Sequence, residues 1–242
     1  YREASGEVSQ SCVFITRLVP RGTFYEGRVH EQIVSALPIR QLPLIFDHDG
    51  YLQGGKGKRN LEILLEESKE KPEDPYLLYQ IARTLWLMKD FVRAEGYFER
   101  FYRLAPESGT GYRTNGVISY IYNLLELKEY EKGLRILENE KQRLQIYADY
   151  QFACGTFYTH AVLSDVQRYI SYLPEIERAY RLCLEIGEVP EHEGVFGNGS
   201  FKVAYNLGVW YEVNGKVTDA LHYYGMAAED GYQPAVERMR GI

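Results

Sequence analysis

The sequence predicts a mostly α protein, an α-α superhelix of stacked helical hairpins that follows a small β-rich segment. The first observation is the register of residues in segment 75–106. Ala82 and Ala94 are twelve residues apart, Phe98 follows four residues later, and Pro106 closes the segment. Small residues let two helices approach closely, an aromatic ring one turn later fills the groove between them, and proline cannot continue a helix. The register therefore predicts an antiparallel pair of helices.

The second observation is that this spacing recurs near the C-terminus. Gly208 and Ala220 are again twelve residues apart, and Tyr224 follows four residues later. A hairpin of about 34 residues with small contact positions and an aromatic residue on its second helix is typical of the tetratricopeptide repeat (TPR). The chain resembles TPR proteins in this register, and its tail also resembles the related Sel1-like repeat.

Residues 1–52 are the predicted β-rich segment. Residues 11–19 are rich in β-branched side chains and predict a strand, 24–34 a turn into a strand or short helix, and 42–46 a second short strand. These strands are too few to bury a hydrophobic core of their own. We therefore expect them to pack against the helices or to pair with strands upstream of Tyr1. Residues 53–58 predict a glycine-rich linker.

Residues 59–242 are the predicted TPR-like domain. Its first predicted helix carries Leu61, Leu64 and Leu65 on one apolar face. Hairpins are expected at 76–104, 113–140, 147–187 and 201–229, followed by a short capping helix at 234–239. The small landmarks on their second helices are Ala94, Gly133, Ala179 (followed by Cys183) and Ala220. These landmarks are unevenly spaced, which predicts insertions in the loops, with a longer loop near 164–171.

Composition narrows the possible functions. The net charge of −6 argues against general affinity for nucleic acid or anionic membranes. No apolar run approaches the roughly 20 residues that a membrane-spanning helix requires. The three cysteines form no paired motif, which favours reduced thiols and a cytoplasmic location.

Three short motifs suggest chemistry, and each is incomplete. His30-Glu31 begins like a zinc-protease helix, but the second histidine is missing at position 34. Segment 50–56 nearly matches a phosphate-binding loop, but glycine replaces the hydroxyl residue at position 57. Asp47 and Asp49 flank His48 and form a possible pair of carboxylate ligands for Mn²⁺ or Mg²⁺.

The order of several motifs resembles the end of the catalytic domain in bacterial family 2 glycosyltransferases that carry TPR tails. Each motif is weak alone, and together they cover roughly 11–106. In order they are Thr16-Arg17-Leu18, Gly27-Arg28-Val29-His30-Glu31, Ile45 to Tyr51, Lys56 to Asn60, Leu64-Leu65-Glu66 and Asp74-Pro75.

This resemblance implies a GT-A fold whose nucleotide-sugar pocket lies upstream of Tyr1, so this chain alone would not be catalytically complete. It implies that His30 and Glu31 are catalytic and lie near the diphosphate or acceptor. His30 and His48 are the implied metal-binding residues. Mn²⁺ or Mg²⁺ with a nucleotide-sugar is the implied cofactor of the full-length protein, and no cofactor is predicted for this chain alone.

Stacked hairpins are expected to leave a concave groove lined by their first helices. Aromatic residues beside a cation suit a peptide, protein or glycan partner, because rigid rings give contact area at low entropic cost. The predicted groove residues are Tyr79, Arg83, Trp86, Tyr122, Tyr205 and Glu212.

Three functions remain open at this point. The first is a glycosyltransferase C-terminal region whose TPR groove holds an acceptor or partner. The second is a stand-alone TPR adaptor that binds an extended peptide without catalysis. The third is a small metal-dependent enzyme that uses His30, Glu31, Asp47 and Asp49.

Overall fold

The computed structural model describes residues 11–13, 18–38, 40, 42, 56–106 and 111–242. Its helices form TPR-like hairpins preceded by a small strand pair, as the sequence predicts. The chain divides into two compact units, 1–123 and 124–242. Several predicted features lie outside the described residues: Asp47, His48, Asp49, the strand at 42–46 except Leu42, and the incomplete phosphate loop except the backbone of Lys56.

The first unit begins with short strands. Strand β1 is Ser11–Cys12, and strands β2 (Phe24–Glu26) and β3 (Gln32–Val34) form an antiparallel hairpin in which Tyr25 pairs with Ile33. Segment 24–34 is therefore a hairpin of two strands, which the sequence left open between strand and short helix. Its turn contains Gly27 and His30, both with positive φ, of 105° and 57°.

The helices of the first unit follow. They are α1 (Lys56–Glu70), α2 (Pro75–Leu87), α3 (Phe91–Leu104) and α4 (Gly111–Glu126), the last of which crosses the boundary between the units. Helix α1 begins at Lys56, so the last three residues of the predicted linker are helical. Helices α2 and α3 form the predicted hairpin, and Ala82, Ala94 and Phe98 have no solvent exposure.

The second unit contains α5 (Tyr130–Leu144), α6 (Ala148–Ser164), α7 (Val166–Tyr169), α8 (Leu173–Ile186), β4 (Gly194–Val195), α9 (Phe201–Val213), α10 (Val217–Glu229) and α11 (Gln233–Met239). Helix α6 packs on α8, and α9 packs on α10. Helix α7 and a 3₁₀ turn at Ile170–Tyr172 occupy the predicted longer loop. Tyr169 is buried there and donates a hydrogen bond to Glu131 at 3.0 Å.

The same tight turn follows α2, α4 and α9. Its central residue has positive φ, at Lys89 (61°), Lys128 (58°) and Gly215 (74°). The backbone N–H groups of that residue and of the residue after it donate hydrogen bonds to carbonyls in the last turn of the helix. For example, Lys89 N–H donates to Trp86 O at 2.9 Å. This pattern closes a helix through a left-handed residue, and it explains why these turns need only three residues.

The third hairpin has its ring three residues earlier than the spacing predicts, at position 180 instead of 183. Ala179 and Cys183 are buried, as predicted, but the ring that packs against the small residue of α6 belongs to Tyr180. A Cβ at Gly155 would lie 2.4 Å from the Tyr180 ring, which matches the 2.5 Å between a Cβ at Gly208 and the Tyr224 ring. The structural equivalents of Gly208 and Tyr224 are therefore Gly155 and Tyr180.

Both described cysteine side chains belong to the second unit and are buried. Burial raises the pKa of the Cys154 thiol to about 12, and the pKa of Cys183 is also raised by burial. Cys183 donates to the carbonyls of Ala148 and Asn198, each at 3.1 Å. Within the described ranges, no helix has both the length and the apolar character needed to cross a lipid bilayer.

Candidate functional site

Helix α2 presents the candidate site in the first unit. Asp74 caps it by accepting a hydrogen bond from Leu77 N at 3.1 Å, and Pro75 occupies its first turn, where no amide partner is needed. Its inner stripe is buried, and another stripe carries side chains that are only partly buried. We call this second stripe the α2 outer face; its members are Tyr76, Arg83, Trp86 and Leu87.

The β2–β3 hairpin lies against α1 and one end of the α2 outer face. Arg28 donates from its amide to Glu67 (3.2 Å) and from its guanidinium to Glu70 (2.8 Å). Tyr76 donates to the carbonyl of His30 at 3.2 Å and accepts from Gln32 Nε2 at 2.6 Å. These bonds hold the hairpin turn against α2, and Arg83, two turns beyond Tyr76, lies close to His30 of that turn.

His30, predicted to be catalytic, lies in that turn. Burial lowers the pKa of its imidazole, the Arg83 guanidinium lowers it further, and Glu31 opposes the shift. The imidazole is therefore neutral at pH 7 and has lone-pair and N–H character rather than charge. Among the described residues no cluster of side chains could hold a metal ion. The metal partner implied for His30, His48, lies outside those residues, and the catalytic and metal roles of His30 and Glu31 stay predictions.

The predicted groove residues of the first unit separate into two environments. Arg83 and Trp86 are partly buried on the α2 outer face, and Tyr122 is partly buried on α4. Tyr79 differs, because it is only 5% exposed and its ring packs 5.6 Å from Phe101. The sequence register places it on a groove, whereas the structure uses its ring to fill the space between helices.

The two groove residues predicted in the second unit, Tyr205 and Glu212, lie on α9. The Tyr205 ring is 5.6 Å from Tyr224 and 5.4 Å from Tyr232. Glu212 accepts from the Tyr224 hydroxyl at 2.6 Å and from Arg238 Nε at 2.8 Å. These hydrogen bonds, chiefly that of Arg238, lower the pKa of Glu212. Its carboxylate therefore already has internal partners, and its role toward a ligand stays a prediction.

Two carboxylates in the second unit were missed from the sequence. Asp149 accepts from Val195 N at 2.9 Å and Asn198 Nδ2 at 2.8 Å, and burial raises its pKa. Glu188 accepts from the amides of Gly197 (2.9 Å) and Gly199 (3.0 Å). The glycines of 194–199 predict a break between hairpins, but nothing local shows that carboxylates hold this loop.

Replacing Asp149 with alanine is expected to release the loop after α8. Two donors would lose their acceptor, and a buried unsatisfied donor costs about 1–3 kcal/mol, so we expect a loss of stability of that order. The Val195 amide should also lose protection against hydrogen exchange. Glu185→Ala is the matched control, since Glu185 is an exposed carboxylate on α8. Equal exchange at Val195 in both variants would show that Asp149 does not hold the loop.

No protein-family model matches the chain, and no curated protein sequence matches it. Solved structures do match it. MamA (residues 41 to the end) from Desulfovibrio magneticus RS-1 is 20% identical, with a TM-score of 0.57 over 74% of this chain and 87% of that one. TTC0263, a TPR protein of Thermus thermophilus, is 17% identical, with a TM-score of 0.54 over 77% and 90%.

YrrB, described as a TPR protein with an unusual peptide-binding site, is 14% identical, with a TM-score of 0.54 over 76% of this chain and 84% of that one. At these identities the likeness concerns the fold, and it agrees with the TPR register of the sequence. It does not support the resemblance to the end of a glycosyltransferase.

Proposed function

We propose, from its likeness in fold to TPR proteins, that this chain is a protein-interaction module that binds an extended segment of a partner protein. Two features support this proposal. Among the structures similar in fold, YrrB is described as having a peptide-binding site. The chain also has a helix surface suited to a ligand, the α2 outer face. The adaptor hypothesis is thus better supported than the glycosyltransferase one.

The observation that carries the proposal is the composition of the α2 outer face. Helix α2 is largely apolar and has one charged residue, Arg83. Trp86 and Leu87 lie one turn further along, and the Leu87 side chain is 47% exposed. Large apolar side chains beside a single cation combine contact area with a polar anchor, as in the centre of many protein interfaces.

A selection experiment tests this function. The purified chain is used to select from a random octapeptide library, and the affinity of the enriched peptides is measured by fluorescence anisotropy. Trp86→Ala should weaken binding by about tenfold or more, because a buried tryptophan at an interface contributes on the order of 2 kcal/mol.

Val92→Ala is the matched control, because Val92 is 75% exposed on the neighbouring helix α3 and lies off the α2 outer face. It should leave the affinity nearly unchanged. Circular dichroism should show the same helicity in both variants. If no peptide is enriched, the proposed function is wrong, and if Trp86→Ala binds like the unaltered chain, the binding surface lies elsewhere.

A further inference from the structure

The two tryptophans of the chain have different environments. Trp210 in the second unit donates from its indole Nε1 to Glu177 at 3.4 Å. The same carboxylate accepts from the Tyr211 hydroxyl at 2.6 Å and forms an ion pair with Arg181 at 3.6 Å. In the second unit, then, an indole N–H and a guanidinium share one carboxylate.

Trp86 in the first unit also has an indole N–H donor, but no carboxylate of the described residues accepts from it. Its Nε1 atom is buried and makes no hydrogen bond to any residue that the structure describes. A buried donor without an acceptor costs free energy, and native structures rarely leave one unsatisfied. An acceptor that arrives with a ligand would remove this cost.

Arg83 lies one helical turn before Trp86 and, among the described residues, also lacks an anionic partner. Residues three apart on a helix lie on the same side, so both side chains belong to one surface. Within the described part of the chain, Arg83 has no ion pair and no hydrogen bond, although it is partly buried. Helix α2 itself has no acidic residue. A partly buried cation is stabilised by an anion, and helix α2 supplies none.

The β2–β3 hairpin turn forms part of the surroundings of Arg83. The imidazole of His30 is close enough for Arg83 to lower its pKa. Tyr76 lies two turns before Arg83 on the same face, and its hydroxyl already donates to the His30 carbonyl. Glu31 is the acidic residue that acts on His30, and it is exposed in the hairpin turn. Arg83 therefore has the imidazole of His30 as a neighbour, while the acidic residue of the hairpin turn is exposed to solvent.

We propose that Arg83 and Trp86 together bind a carboxylate of the partner peptide, an aspartate, a glutamate or the C-terminal group. The proposal rests on the proposed function, and it specifies the ligand as an acidic peptide. The guanidinium would provide the charge and paired N–H donors, and the indole N–H one further donor. The Glu177 site of the second unit shows that a carboxylate can accept from an indole while it forms an ion pair with a guanidinium.

The first experiment repeats the octapeptide selection with the unaltered chain and with Arg83→Gln, which keeps a polar side chain of similar length without the charge. Arg93→Gln is the control, because Arg93 is paired with Asp90 on the exposed side of α3. We expect peptides selected by the unaltered chain and by Arg93→Gln to be enriched in acidic residues or in a free C-terminal carboxylate. That enrichment should be lost with Arg83→Gln, and the best acidic peptide should bind it about tenfold more weakly.

The second experiment observes the indole directly. The chain has two tryptophans, so labelling with ¹⁵N-tryptophan yields two indole signals, which Trp86→Phe assigns. On addition of the best acidic peptide, the Trp86 indole proton should move downfield as it gains an acceptor. The Trp210 proton, already bonded to Glu177, serves as the internal reference. The same peptide with its acidic residues replaced by amides should cause a smaller shift.

The outcomes separate the two proposals. Selected peptides without acidic enrichment, or an enrichment that survives in Arg83→Gln, would overturn the carboxylate site and leave the interaction module standing. An unmoved Trp86 indole signal with a bound acidic peptide would overturn the indole's part in the site. A library that yields no binder would reject the interaction module and the carboxylate site together.

Discussion

Replacing Phe98 with alanine is expected to lower the free energy of unfolding by about 3–5 kcal/mol, the usual range for removal of a buried phenylalanine. Phe98 has no solvent exposure, and its ring stacks on Tyr120 with 5.5 Å between the centroids and 14° between the planes. Close packing leaves no side chain free to refill such a space, so the lost contacts and the cavity both destabilise the fold. Chemical denaturation followed by far-UV circular dichroism measures the change.

A control on the same helix isolates the effect of burial. Val92 also lies on α3 but is 75% exposed, so Val92→Ala should change stability by less than about 0.5 kcal/mol. If the two variants unfold at the same denaturant concentration, the aromatic position of the TPR register is not part of the stabilising core of this hairpin.

Gly208→Ala is expected to destabilise the second unit by about 1–3 kcal/mol, although alanine is the better helix former. A Cβ at this position would lie 2.5 Å from two carbon atoms of the Tyr224 ring, far inside van der Waals contact. The ring has little room to move, because it is fully buried and its hydroxyl is bonded to Glu212 at 2.6 Å. The two helices must therefore separate to accept the methyl group.

Gly225→Ala in the facing helix α10 should have the opposite sign. Nothing lies within 4 Å of a Cβ at Gly225, so the only change is the gain in helix propensity, about 0.5–1 kcal/mol. Thermal unfolding of the two variants should therefore shift in opposite directions. A stabilising Gly208→Ala would show that the close approach of α9 and α10 is not required.

Much of the fold could be predicted because its signals are local. The twelve-residue and four-residue spacings at Ala82, Ala94 and Phe98 depend on helical geometry within one hairpin, and the structure buries all three residues. The third hairpin was harder, because the α7 insertion separates Gly155 from its ring. The spacing rule then favoured Ala179 and Cys183 over Tyr180. Only the packed helices show which ring meets the glycine.

The positions of the candidate site residues could be predicted only in part. Arg83 and Trp86 were assigned to a groove because they lie on the first helix of a hairpin, and both lie on the α2 outer face of the structure. Tyr79 follows from the same reasoning, yet its ring packs in the interior against Phe101. One helical turn cannot distinguish a groove position from a core position when the deciding neighbours belong to other helices.

The sequence by itself determined the series of helical hairpins, because helix periodicity, tight turns and small contact residues act between neighbours in the chain. The pairing of polar groups was decided only by the tertiary structure. Trp210 meets an acceptor 33 residues away in Glu177, and Tyr76 meets the His30 carbonyl from 46 residues away. Within the described ranges, Trp86 remains a buried donor without an acceptor. A hydrogen bond forms only at close range, and folding alone brings such distant residues within that range.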